Sequence, residues 1–190
     1  MVVMVGRALS ALSALALVAC ATAPAKDTRI NTPLHARQFN SIASQYLPRP
    51  TTVRIVELDD GSERMAVTAD FYGGKYGAVS FFRGQVPAYV ARVDKFLEWE
   101  AIARERGDAL TKDIGRAPSP SAGPAAELSF AFHSGNARAH FLVITFCVLG
   151  GCLPDQAIAL DPEGARELRA LLLRFETGQL KHTPVDQVYK

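Results

Sequence analysis

The stretch Ala117-Pro118-Ser119-Pro120-Ser121-Ala122-Gly123-Pro124 constrains this chain more than any other. Its three prolines remove backbone donors and fix φ, so neither a helix nor a strand is expected to run through it. It links two comparable halves, 49–116 and 125–180, each of which has to build its own local structure. The chain has 190 residues, 48% apolar and 21% charged. That is room for one domain or two very small ones, and fits neither a disordered tail nor a polytopic membrane protein.

In the first half, Thr51 to Leu58 and Arg64 to Tyr72 alternate like strands and are joined through Asp60-Gly61, a strong hairpin signal. Gly73-Gly74 leads into a third strand, Tyr76 to Phe82. From Val90 to Arg106 the spacing of Phe96, Trp99, Ile102 and Ala103 is helical, with Glu100 and Arg104 paired on the outer face. Pro87 to Val93 reads either as a fourth strand or as the first turns of that helix.

In the second half, Leu128 to His133 and Arg138 to Cys147 form a hairpin through Ser134-Gly135-Asn136-Ala137, and Gln156 to Leu160 is a short strand. Asp161 then caps a helix with Pro162 at its first position and Glu163 in its first turn; Gly178 stands at its stop. Its buried stripe is Ala165, Leu168, Leu171, Leu172 and Phe175. The expected class is α+β: an antiparallel sheet with two helices packed on one face, either a tandem β-β-β-α repeat or a single α+β domain whose halves look alike by chance.

Ahead of this body, Arg7 precedes a largely apolar run from Ala8 to Val18, and no acidic residue occurs before Asp27. A short basic start followed by a short apolar core is a secretory signal, and the run is shorter than the roughly 20 residues that span a bilayer. Translation starts at Met1 or Met4. The run ends in Leu17-Val18-Ala19-Cys20, which resembles the lipobox of bacterial lipoproteins. The resemblance covers the leader, 1–19, and implies cleavage before Cys20 and acylation of that cysteine. Several acyl chains, at about 0.8 kcal/mol per buried methylene, anchor a protein far better than one. An ordinary cleaved signal ending at Ala19 or Ala21 is the alternative. Residue 21 is alanine rather than the aspartate that retains such proteins at the inner membrane, so in a Gram-negative envelope the expectation is a lipid anchor in the outer membrane, facing the periplasm. Residues 20–48 read as the lipidated cysteine and a flexible tether, and 181–190 as a tail. His35 and His182 fall in these two segments.

With Cys20 assigned to lipid, Cys147 and Cys152 remain. In an oxidising compartment they are expected to form a disulfide across a tight turn, with a redox pair or two buried thiols as alternatives.

A formal net charge of +2 makes no electrostatic case for nucleic acid. No nucleophile elbow, phosphate loop, dinucleotide fingerprint or zinc-protease helix is present, so no catalytic residue and no cofactor is assigned. The candidate binding residues are His133, Arg138 and His140. If Gly135 and Asn136 make a two-residue turn, Phe132 faces Ala139, and Leu128, Phe130, Phe132, Ala139, Phe141 and Val143 share the core face. His133, Arg138 and His140 then lie together on the other face, where they suit an anion, and Leu142, Ile144 and Phe146 continue that face as an apolar strip. Cys147 has core parity, so no metal site with the histidines is expected, although a one-residue bulge would change this parity. Trp99 reads as core, Tyr72 to Gly77 as a glycine turn, and Asp59, Asp60 and Glu63 as turn residues.

The function expected on these grounds is a lipid-anchored envelope lipoprotein whose domain binds another envelope protein through its exposed sheet face. A small-molecule or anion-binding module is the first alternative and a hydrolase with an unfamiliar site the second.

Overall fold

The computed structural model describes residues 26–183 and position 187. The leader and Cys20 lie outside the described residues.

The fold is α+β, with every paired strand antiparallel and the strands divided between two sheets. Strands β1 (Lys26–Ile30), β4 (Thr51–Glu57), β5 (Glu63–Asp70) and β6 (Tyr76–Phe82) form the first, in that order across it. The second runs β3 (Gln45–Arg49), β2 (Ala36–Asn40), β11 (Ile158–Leu160), β9 (Ala139–Val148), β8 (Glu127–Asn136) and β7 (Thr111–Pro118). The short β10 (Gly151–Cys152) pairs with β9. Helix α1 (Val86–Arg106) follows β6 and helix α2 (Pro162–Glu176) follows β11.

The structure settles the start of α1 and agrees with the sequence on the limits of α2. The ambiguous Pro87 to Val93 segment is the start of α1, with Pro87 in the first turn and Gly107, at φ 73°, closing the helix in the left-handed conformation. In α2 the Asp161 carboxylate accepts the Gly164 N–H at 2.9 Å, and all five residues of the expected stripe are buried. The helices are antiparallel. Arg83, just before α1, reaches the Phe175 carbonyl at the end of α2; Asp94 meets Arg169 at 2.5 Å midway.

The described part of the expected tether, 26–48, together with Arg49, instead supplies three strands. β1 pairs along its whole length with Val53 to Glu57 of β4, and Leu34 and Ala36 are fully buried. These segments lack clean alternation because β1 and β3 are edge strands, where one side faces solvent and Pro48 costs no ladder bond. A further strand, β7, was not expected: Gly115, at φ 131°, sits at a bulge beside Asp113, which interrupts the alternation. Its last residues, Ala117 and Pro118, lie in the proline-rich link, where no strand is expected from the sequence; that expectation is corrected because β7 is an edge strand, which tolerates proline. The tail is also fixed at its start, where Thr183 N–H donates to Thr28 Oγ1 at 2.7 Å and His182 N–H to Glu63 at 2.7 Å.

One core joins the layers. Val53, Ile55, Met65, Val67, Val79 and Phe81 of the first sheet meet Leu128, Phe130, Phe132, Leu142 and Ile144 of the second beneath the two helices. Tyr89 of α1 bridges the sheets, with its ring 5.1 Å from Phe81 and 6.4 Å from Phe130. No helix among the described residues is long and apolar enough to cross a membrane.

Candidate functional site

The β8–β9 hairpin decides where the three candidate binding residues go. Ser134 pairs with His140 and Asn136 with Ala139, so Gly135 is an extra, bulged residue and the turn is Ala137-Arg138. The Asn136 side chain accepts the backbone N–H groups of Arg138 and Ala139 at 2.9 and 3.0 Å, an Asx turn. Phe132 therefore faces Leu142 rather than Ala139. This slip by an odd number of residues turns every β9 side chain onto the opposite face.

Three expectations are corrected by that one bulge. His140 is inside, its side chain 0% exposed, and its ring lies 5.2 Å from Phe132. Leu142 and Ile144 are fully buried and Phe146 packs against the core, so the apolar strip expected outside does not exist. His133 stays on the other face, away from His140. There it is held between Tyr46 Oη at 3.0 Å and Thr111 Oγ1 at 2.9 Å, and burial pushes the Tyr46 phenol above its ordinary pKa. The reason for the bulge is also tertiary: a Cβ at position 135 would lie 3.1 Å from the Tyr46 ring and 3.2 Å from Phe141.

A second correction concerns Glu100. Buried residues Val93, Phe96, Glu100 and Ala103 recur at helical spacing, which puts Glu100 on the core stripe of α1 rather than its outer face. Its carboxylate lies 4.0 Å from His140 Nδ1 and 3.6 Å from Arg104 Nε. A charged residue in that stripe was the sequence signal for a site; it becomes legible once the helix is known to start at Val86.

His140 and Glu100 form the floor of a cleft of about 360 Å³. Arg104 of α1, Arg138 of the turn, Arg37 of β2 and Glu163 of α2 also line it. Arg37 is committed, pairing with Asp161 at 2.5 Å, which itself caps α2. Arg138 is exposed and makes no ion pair among the described residues. His140 Nε2–H donates to the Asp108 carbonyl at 3.3 Å. A neutral ring then presents Nδ1 as an acceptor, buried and without a hydrogen bond among the described residues, towards the acceptor oxygen of Glu100. Two facing acceptors in a buried place are reconciled by a proton or by a donor placed between them.

Cys147 and Cys152 lie directly opposite each other on β9 and β10 and are joined by a disulfide, with sulfurs 2.02 Å apart. Among the described residues no three His, Cys, Asp or Glu side chains come together as a metal site. No family model matches this chain, and no curated protein matches it.

Proposed function

We propose that this chain is a lipid-anchored envelope protein whose domain binds a small acid in the His140 cleft. The ligand's anionic group would sit on Arg104 and Arg138, and a hydroxyl or ammonium of the same ligand would donate between His140 Nδ1 and Glu100. The observation that carries this reading is the fully buried His140 whose Nδ1 has no hydrogen bond among the described residues, at the floor of an arginine-lined cleft. Guanidinium groups suit it because they bind carboxylate and phosphate through paired donors. The lipobox supports an acylated Cys20, which would hold this cleft at the periplasmic side of the outer membrane.

Titration calorimetry with lactate, glutamate and inorganic phosphate tests the reading. Saturable binding of at least one, weakened about tenfold or more by Arg104→Ala and by Arg138→Ala, is expected. Heats that do not saturate, or that both variants leave unchanged, would overturn it.

A second reading, docking to another envelope protein, rests on the β2–β3 hairpin, where Phe39 is 53% and Ile42 96% exposed. Single exposed apolar residues are ordinary, but two at one hairpin tip suit a contact. A photo-crosslinker at Ile42 that captures one defined envelope protein in intact cells would support it; no adduct would count against it.

A further inference from the structure

The opposite flank of α1 carries a second cleft, which the small-acid reading does not use. Glu100 and Arg104 face the His140 cleft, whereas Trp99, Ile102 and Ala103 line a separate hollow of about 230 Å³ with Leu110, Lys112 and Phe132. Its walls are apolar and partly wet: Ile102 is 48% and Leu110 38% exposed. Such exposure costs stability unless something covers it for part of the time.

Charge at this hollow is one-sided. Asp108, the acidic group on its lining, is taken by Arg106 at 2.6 Å. Lys95, 5.5 Å from the Trp99 ring centre, is held by Glu98 at 2.9 Å. Lys112 makes no ion pair among the described residues, and its ammonium lies 4.7 Å from the centre of the same indole ring. An ammonium held over an aromatic face beside an apolar hollow is a cation awaiting an anion at the rim.

We infer that this hollow binds a small carboxylate with a single-ring or short branched apolar body. The body would pack on Trp99, Ile102, Leu110 and Phe132 while its carboxylate takes the Lys112 ammonium. The size sets the class, because about 230 Å³ is below the roughly 300–1,000 Å³ of sites for drug-sized ligands. Its lining includes neither Arg104 nor Arg138, so Arg104→Ala and Arg138→Ala should leave its binding unchanged, although Phe132 and Asp108 lie between it and His140.

Trp99 is the only tryptophan of the chain, so its emission reports on this hollow directly. The full chain, extracted in a non-absorbing maltoside detergent, is titrated with 3-phenylpropanoate and with the neutral 3-phenylpropanamide. Expected is a saturable change in Trp99 emission with the carboxylate, at least tenfold tighter than with the amide. Lys112→Glu should weaken the carboxylate at least tenfold and leave the amide unchanged, and Ile102→Asp should weaken both. Both positions are solvent-facing, so folding of these variants, checked by circular dichroism, is not at issue. No saturable change, or equal binding of acid and amide, or an unaltered affinity in Lys112→Glu, would each overturn the inference.

Discussion

Arg83 shows how much one side chain can organise here. Its guanidinium donates to the Phe175 carbonyl at the end of α2, to the Glu63 carboxylate of β5, and to the Leu180 carbonyl at 3.3 Å, while lying 4.3 Å from the centre of the Phe175 ring. It adds a donor at the last turn of α2, places a cation at the negative end of that helix's dipole, and ties α2 to the first sheet. Arg83→Ala should therefore cost about 2–3 kcal/mol in urea unfolding. Arg83→Lys should restore less than half of that, because an ammonium cannot fork between three acceptors on a planar frame. An unchanged urea midpoint for Arg83→Ala would refute this account. Of the three candidate binding residues, Arg138 and His140 line one cleft, but His140 does so from the inner face rather than the expected outer one, His133 lies elsewhere, and Glu100 and Arg104 were not placed there. A side chain on a helix announces its face only when the whole stripe is in register, and Val86 and Tyr89 supply the turns that fix it.

At the scale of elements, local chemistry decided much. The β9–β10 hairpin turns on Leu149-Gly150, with φ of 51° and 80°, as a two-residue turn of the primed type requires. Glycine adopts this freely, but leucine does so at a cost, and Leu149 is 88% exposed with no packing to offset it. Leu149→Asn is expected to raise stability by about 1 kcal/mol, read as a higher midpoint in thermal unfolding without reductant. A lower midpoint would mean that Leu149 has a contact partner the fold itself does not supply. The elements that were readable, β4 with β5, β6 and the stripe of α2, are those whose alternation or caps are complete within the segment. β1, β3 and β7 escaped because edge strands bury little and tolerate proline and glycine, so the pattern that marks an interior strand is absent from them, and β2, though paired on both sides, buries only Ala36 fully.

The whole molecule is built around one core, and that has a consequence for its cooperativity. Tyr89 stands between Phe81 and Phe130, and Phe96 lies 5.6 Å from Phe132, so α1 packs against both sheets. Gly77 of β6 admits the Phe71 ring, which a Cβ there would meet at 2.7 Å, and also approaches Ile158 of β11. Residues 26–183 should accordingly unfold in one transition, with calorimetric and van't Hoff enthalpies equal. Residues 49–116 or 125–180 expressed alone should give collapsed amide spectra; a dispersed spectrum from either half would show two independent units. The sequence by itself determined the α+β class, the hairpins and the limits of α2, because turns, caps and periodicities act between residues a few positions apart. It also carried the lipobox from which the anchor is proposed. Only the tertiary structure decided that residues 26–49 supply β1, β2 and β3, that Gly135 is bulged, and that His140 faces inward towards Glu100. Those outcomes hang on Tyr46 of β3 closing over Gly135 and Phe141, a contact between segments far apart in the chain that no local pattern encodes.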